Sequence, residues 1–330
     1  MNVLEVDGLT VVLPGGSHRP LVDGIALRIG AGEVVGLVGE SGSGKSVTAR
    51  SALGLFPARS RVTGSVRVAG TEVVGLAGEA LRRLRAEQAA MIFQDPRASI
   101  NPLRRVGDFL TEAVRTNRGW ARARSRDRVV ELLGEVGIAD PGAAMRRYPH
   151  QFSGGMLQRV MIAAALAVDP MLLLADEPTT ALDVSTQAEI VAILLRLQAE
   201  RGMGMLFVTH DLELAASICH RIAVMYAGRI VEEQPADRLF RAPRHPYTQG
   251  LLAATPTLPS ATGGAVQASG RLVPISGRPL SLTDTPPGCA FAPRCPRAIA
   301  LCTATAPDLH SSGAERVACH RADESVGAGG

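Results

Sequence analysis

Gly39-Glu40-Ser41-Gly42-Ser43-Gly44-Lys45-Ser46 follows directly on the apolar run Val34-Val35-Gly36-Leu37-Val38. The octapeptide fits G-x-x-x-x-G-K-[ST], the pattern of a phosphate-cradling loop. Its glycines let the backbone curl so that successive N–H groups face phosphate oxygens. A helix predicted over Lys45 to Leu55 adds the positive end of its dipole. Lys45 is expected to reach the β- and γ-phosphates of a nucleotide, and the Ser46 hydroxyl to take one magnesium position. Read alone, the stretch is also a Gly/Ser-rich turn. The apolar strand before it and the helix after it argue against that reading.

A second stretch supplies what the first lacks. Leu172-Leu173-Leu174-Ala175 is a short apolar run that ends in Asp176-Glu177-Pro178. It reads as a buried strand with two carboxylates at its carboxyl end, where ligands bind in open α/β sheets. Asp176 is expected to hold magnesium and Glu177 to act as general base for an attacking water; the alternative is a pair of solvated loop acids. Gln94 ends the short strand Met91-Ile92-Phe93 and can bind both metal and water, so the expected magnesium set is Ser46, Gln94 and Asp176. His210 follows Leu206-Phe207-Val208-Thr209 and precedes Asp211, a suitable helix cap. At a strand end it is expected to touch the γ-phosphate.

Around these motifs the pattern changes in blocks. Val62 to Val74 alternates as one or two strands. From about Pro96 to Asp169 apolar residues recur at helical spacing, as in Val129, Leu132, Leu133 and Val136, and Ser153 precedes an Ala-rich helical run through Val168. Strands return at Met171–Ala175 and Gly204–Thr209, with an amphipathic helix marked by Ile190, Val191, Leu194 and Leu197 between them. Strand, crossover helix, strand is the grammar of a parallel α/β sheet. The expected organisation is a nucleotide domain over 1–254 with a helical subdomain at about 96–169, a Pro/Ser/Thr/Gly-rich linker at 255–270, and a small module at 271–330.

Composition limits the class. An apolar share of 46% allows a large core, and 3% aromatics makes it aliphatic. The net charge of +4 comes without a basic block interleaved with aromatics, so nucleic acid is not implied. No apolar run approaches the roughly 20 residues a bilayer span needs. Met1-Asn2-Val3-Leu4-Glu5-Val6-Asp7 lacks the order of a signal peptide, and the chain reads as cytoplasmic.

Taken in order, these pieces resemble the ATP-binding subunit of ABC transporters, from about Val3 to Ala254. Phe152-Ser153-Gly154-Gly155-Met156-Leu157-Gln158-Arg159 is similar to the ABC signature, and Thr180-Ala181-Leu182-Asp183 to the D-loop. Gln94 and His210 fall at the Q-loop and the switch histidine. The resemblance implies a P-loop NTPase fold: a RecA-like sheet core, an antiparallel β-subdomain and an inserted ABC helical subdomain. It implies that two such domains pack head to tail, so that Ser153, Gly154, Gly155 and Asp183 contact ATP held by the partner. ATP binding then closes the pair and hydrolysis reopens it. Met91 to Pro102, His245 to Leu252 and Pro287 to Pro296 are similar to the peptide-importer branch, in its D-type ATPase. That implies a distinct F-type ATPase partner, two integral membrane permease subunits, an extracytoplasmic solute-binding protein, and a peripheral place on the cytoplasmic side of the membrane. Nickel, glutathione or another small solute is the alternative cargo. A soluble ABC ATPase acting on ribosomes or DNA is the alternative of another class. The family's base-stacking aromatic has no counterpart here: Leu13 stands nearest, with Arg19 or His18 as replacements, and weak base selectivity is expected.

Cys289, Cys295, Cys302 and Cys319 follow the spacing C-x5-C-x6-C-x16-C. Clustered thiolates in a reducing compartment bind zinc or iron–sulfur clusters. The close pair usual in zinc modules is absent, and tails of this branch resemble cluster-binding modules, which favours [4Fe–4S] over zinc. Free thiols in a small structural lobe are the third reading.

Overall fold

The computed structural model describes residues 1–15, 19–180, 182–255 and 274–322. His18, Ala181 of the D-loop-like segment, nearly all of the expected linker, and residues 271–273 and 323–330 of the expected module lie outside the described residues.

Five strands rich in aliphatic residues lie parallel in the order Arg221–Tyr226, Val34–Val38, Gly204–Thr209, Leu172–Asp176, Ala89–Ile92. Four of them are buried along their whole length, as expected of strands covered on both faces. Side chains alternate between the two faces. Leu172, Leu174, Leu206 and Val208 pack on one side with Leu4, Leu9, Leu27 and Ile29 of a second, antiparallel sheet. Leu173, Ala175, Met205 and Phe207 pack on the other with helical residues Val160, Ile162, Ile190 and Leu194. The second sheet has the order Val22–Gly30, Asn2–Val12, Arg61–Val68, Thr71–Glu72.

Register decides where function can sit. Val38 lies opposite Thr209, Asp176 opposite Val208, and Ile92 opposite Ala175. The carboxyl ends of four strands therefore coincide at one edge, from which residues 39–46, 94, 177 and 210 emerge.

The inserted helices are Val106–Arg118, Arg122–Glu135, Pro141–Ala144 and Gly154–Leu166. Val129, Leu132, Leu133 and Val136 are buried, as their spacing predicts. Arg128 and Arg201 each reach both Glu135 and Asp169, which ties this layer to the helix Val184–Arg201. Among the described residues no helix is long and apolar enough to cross a membrane.

Three details depart from the sequence reading. The helix after the phosphate-type loop ends at Ser51 rather than Leu55; tight turns follow, and Gly54 takes a left-handed φ of 63°. Asp176 belongs to its strand because it is paired with Val208 in the ladder. The main sheet is mixed rather than purely parallel. Arg229–Pro235 runs antiparallel to Arg221–Tyr226, and Glu315–Val317 with His310–Ser312 extends that edge. The tail thus completes the main sheet. Arg316 anchors it, pairing with Glu233 and donating to the Ala26 carbonyl at 2.8 Å.

Candidate functional site

The loop between Val38 and Lys45 is closely backed. A Cβ on Gly39 would stand 2.2 Å from the Met225 carbonyl oxygen, and one on Gly44 2.8 Å from that of Leu21. Gly44 also has a φ of 105°, which L side chains rarely adopt. Lys45 is 5% exposed, and its ammonium donates to the carbonyls of Gly39 at 2.7 Å and Glu40 at 3.0 Å. Burial pulls its pKa below the usual lysine value, while Glu177, Asp176 and Glu40 pull it back up. No side chain caps the helix Lys45–Ser51, and the buried Ser43 hydroxyl has no hydrogen-bond partner. Uncommitted donors around a buried ammonium suit a polyanion.

The carboxylates stand beside this loop. The fully buried Asp176 accepts from Ser46 Oγ at 2.8 Å and meets the Arg50 guanidinium at 3.5 Å. Burial raises its pKa above the usual carboxylate range, against the pull of Ser46 and Arg50. Glu177 holds a left-handed φ of 49°, rare and strained for a residue with a long side chain. Its N–H donates to the Val208 carbonyl at 3.0 Å. Its Oε2 accepts from Gln94 Nε2 and from Thr180 Oγ1, both at 3.0 Å, with His210 Nδ1 3.6 Å away. The edge therefore gathers Lys45, Ser46, Gln94, Asp176, Glu177 and His210. The oxygens of Ser46, Asp176 and Gln94 form the hard donor set that suits magnesium.

Ser153, Gly154, Gly155 and Asp183 form a separate group. The Ser153 hydroxyl caps its helix by accepting from Met156 N–H at 3.2 Å, and Asp183 caps the next by accepting from Thr186 N–H at 3.0 Å. Bonds from Ser185 and Thr186 hold the Asp183 carboxyl well below the usual range. A Cβ on Gly155 would fall 2.4 Å from Thr186 Cγ2, so the two caps sit side by side. Among the described residues no hydrogen bond or ion pair joins this group to residues 39–46.

Sequence reasoning missed four members of the first neighbourhood: Arg50, Thr180, Tyr247 and Arg294. Tyr247 Oη accepts from Glu40 N–H at 2.9 Å, and Arg294 clasps the Glu40 carboxylate. Thr180 was legible as three residues beyond Glu177; the tail contacts carried no local signal. On the expected base side, Arg19 is buried and its guanidinium donates to the carbonyls of Ser281, Pro20 and Leu280. Two of these three bonds go to the tail.

Cys289, Cys295, Cys302 and Cys319 line a single cavity with His245, Phe291 and His320. Burial raises the thiol pKa of Cys289, Cys295 and Cys319, and nearby backbone N–H groups counter it; Arg321 N–H donates to Cys319 Sγ at 3.4 Å. Among the described residues no three His, Cys, Asp or Glu side chains converge tightly enough for one metal ion. The fifth cysteine, Cys219, lies apart and is buried, its thiol pushed up to about 12.

Comparison with known proteins agrees with this geometry. Residues 22–180 match the ABC transporter family, and residues 231–302 the oligopeptide/dipeptide transporter C-terminal region. The chain is 45% identical over 323 residues to the dipeptide transport ATP-binding protein DppD of Haemophilus influenzae, covering 97% of this chain and 96% of that one. It is 45% identical to the oligopeptide transport ATP-binding protein OppD of Mycobacterium tuberculosis, spanning 52% of that longer protein. A solved ATP-binding cassette, dimeric in a post-hydrolysis state with ADP and Pi, superposes with a TM-score of 0.63 at 28% identity, over 71% of this chain and 98% of that one.

Proposed function

The chain belongs to the ATP-binding subunits of dipeptide and oligopeptide ABC transporters, and on that premise we propose how its residues hydrolyse ATP to power peptide import. The observation that carries the reading is the gathering of Lys45, Ser46, Gln94, Asp176, Glu177 and His210 at one sheet edge. The loop 39–46 and the Lys45 ammonium receive the triphosphate, with the Ser43 hydroxyl as a further donor. Ser46, Asp176 and Gln94 would hold magnesium, which neutralises charge on the β- and γ-phosphate oxygens when bound. Glu177, fixed by Gln94 and Thr180, accepts the proton of the attacking water. His210, with Nδ1 3.6 Å from Glu177 Oε2, is placed to contact the γ-phosphate.

Ser153, Gly154, Gly155 and Asp183 act on the partner's nucleotide. Two features support this: they stand apart from the chain's own phosphate loop, and the solved relative is a dimer. Closure is favoured because ATP makes contacts on both sides only in the closed pair. Ser153→Arg is expected to abolish hydrolysis at the partner's site and leave this chain's own ATP affinity within a few-fold. Nucleotide titration of the lone subunit, beside turnover of the assembled transporter, checks this. Loss of the subunit's own binding would overturn the head-to-tail arrangement.

The assembly comprises a distinct F-type ATPase, two membrane permease subunits and an extracytoplasmic binding protein, with this chain peripheral on the cytoplasmic face. Cargo is di- or oligopeptide, the substrates named for the relatives. Co-purification with the permease subunits and peptide-dependent turnover test the whole reading; ribosomal material in their place would redirect it to the soluble class.

The cysteine cavity fits a [4Fe–4S] cluster better than zinc. All four cysteines line one cavity, a peptide N–H already donates to Cys319 Sγ, and the sequence lacks the close Cys pair usual in zinc modules. Cys289, Cys295, Cys302 and Cys319 would hold the cluster, which supplies a covalent cross-link for the small tail. Protein purified without oxygen is expected to be brown, with about four irons per chain and broad visible absorbance that Cys302→Ser removes. Colourless protein with stoichiometric zinc would overturn this assignment.

A further inference from the structure

The tail holds the phosphate loop by one residue. Glu40 is gripped at three points. Its N–H donates to Tyr247 Oη at 2.9 Å, its carbonyl accepts from Lys45 Nζ at 3.0 Å, and its carboxylate receives both arms of Arg294 at 2.8 and 3.0 Å. The Arg294 side chain is 4% exposed. Its Nε donates to the Ser276 carbonyl at 3.1 Å, and its remaining approach is to Tyr226 Oη at 3.4 Å. Tyr226, Tyr247 and Phe291 pack ring against ring around it, with centroids 4.7 to 5.3 Å apart. In a chain this poor in aromatics, the cluster builds a dry, stiff wall behind the ion pair.

Arg294 also belongs to the cysteine lobe. It closes the short 3-10 turn Ala292–Arg294, directly before Cys295, and Phe291 and Ala292 line the cysteine cavity. A bidentate arginine–carboxylate pair is directional as well as strong. A shift of the turn therefore moves Glu40, and with Glu40 the carbonyl that helps hold the Lys45 ammonium. We propose that Arg294 is a positioning residue for nucleotide binding, acting through Glu40, and that it makes the grip of the phosphate loop depend on the state of the cysteine cavity. This rests on the loop 39–46 being the ATP site.

The test is a set of equilibrium titrations of the full chain with a non-hydrolysable ATP analogue and magnesium, with turnover measured in the assembled transporter. Arg294→Gln is expected to weaken the analogue roughly tenfold and raise KM in step, with kcat near wild type, since the lost contact orders the loop and does not touch the reacting atoms. Glu40→Gln should weaken it similarly, and the double variant no further than either single one. Cys302→Ser should weaken binding in the wild-type background and have little added effect in Arg294→Gln. If Arg294→Gln does not fold, Arg294→Lys, which keeps the charge and loses the fork, should show a smaller loss in the same direction. A purely structural role would lower the melting temperature and leave Kd unmoved, and that result overturns the proposal. So do independent, multiplying effects of Cys302→Ser and Arg294→Gln. A wild-type chain that fails to bind the analogue would instead refute the ATP site itself.

Discussion

Glu177→Gln is expected to leave ATP affinity within a few-fold of wild type and to slow hydrolysis by about 100- to 10,000-fold, the usual worth of a positioned general base. Glutamine is nearly isosteric, so it disturbs neither the left-handed backbone at this residue nor the bond from its N–H to the Val208 carbonyl. It cannot take a proton. Its amide oxygen can still accept from Gln94 and Thr180 in the place of Oε2, while the amide nitrogen replaces the other carboxylate oxygen. Turnover falls while the closed, ATP-loaded pair persists, and size-exclusion chromatography with and without ATP should show the stable dimer. Wild-type turnover in this variant would remove Glu177 from the role of base.

Lys45→Ala is expected to weaken nucleotide binding by a hundredfold or more. The ammonium is buried and held by two loop carbonyls. Its removal deletes a charge-assisted bond to phosphate, worth about 1.5–3 kcal/mol, and leaves the Gly39 and Glu40 carbonyls without their donor. The loop then loses both its charge and its internal brace, and about 2.8 kcal/mol is already a hundredfold. Direct titration of the folded variant checks this. The cause is local, so the melting temperature without nucleotide should change far less than the affinity. Retained affinity would sink the assignment of the loop.

Much of the site was legible because it is written in short segments. A strand, a glycine-rich turn and a lysine suffice to announce the loop, and an apolar run ending in Asp176-Glu177 announces its counterpart. That these ends share an edge follows from parallel pairing. The lesser errors are boundary effects: helical spacing continued to Leu55 although turns intervene after Ser51, and ladder pairing pulled Asp176 into its strand. What could not be read was long-range. Arg294 and Glu40 are 254 positions apart, and nothing near either one names the other. Glu315–Val317 is too short for a periodic signal. The cysteine spacing showed four thiols without a close pair, and only the folded tail brings them to line one cavity.

The hairpin that completes the main sheet has a consequence for solubility. Without residues beyond 274, the strand Arg229–Pro235 would present a row of bare peptide donors and acceptors to water, with the buried acid Glu233 stripped of Arg316. Such a margin invites pairing with any extended chain. Outermost instead is a three-residue ribbon, His310–Ser312, entirely exposed and polar, which offers little purchase to a stray neighbour. The tail guards the molecule against clumping, whatever else it does for the nucleotide.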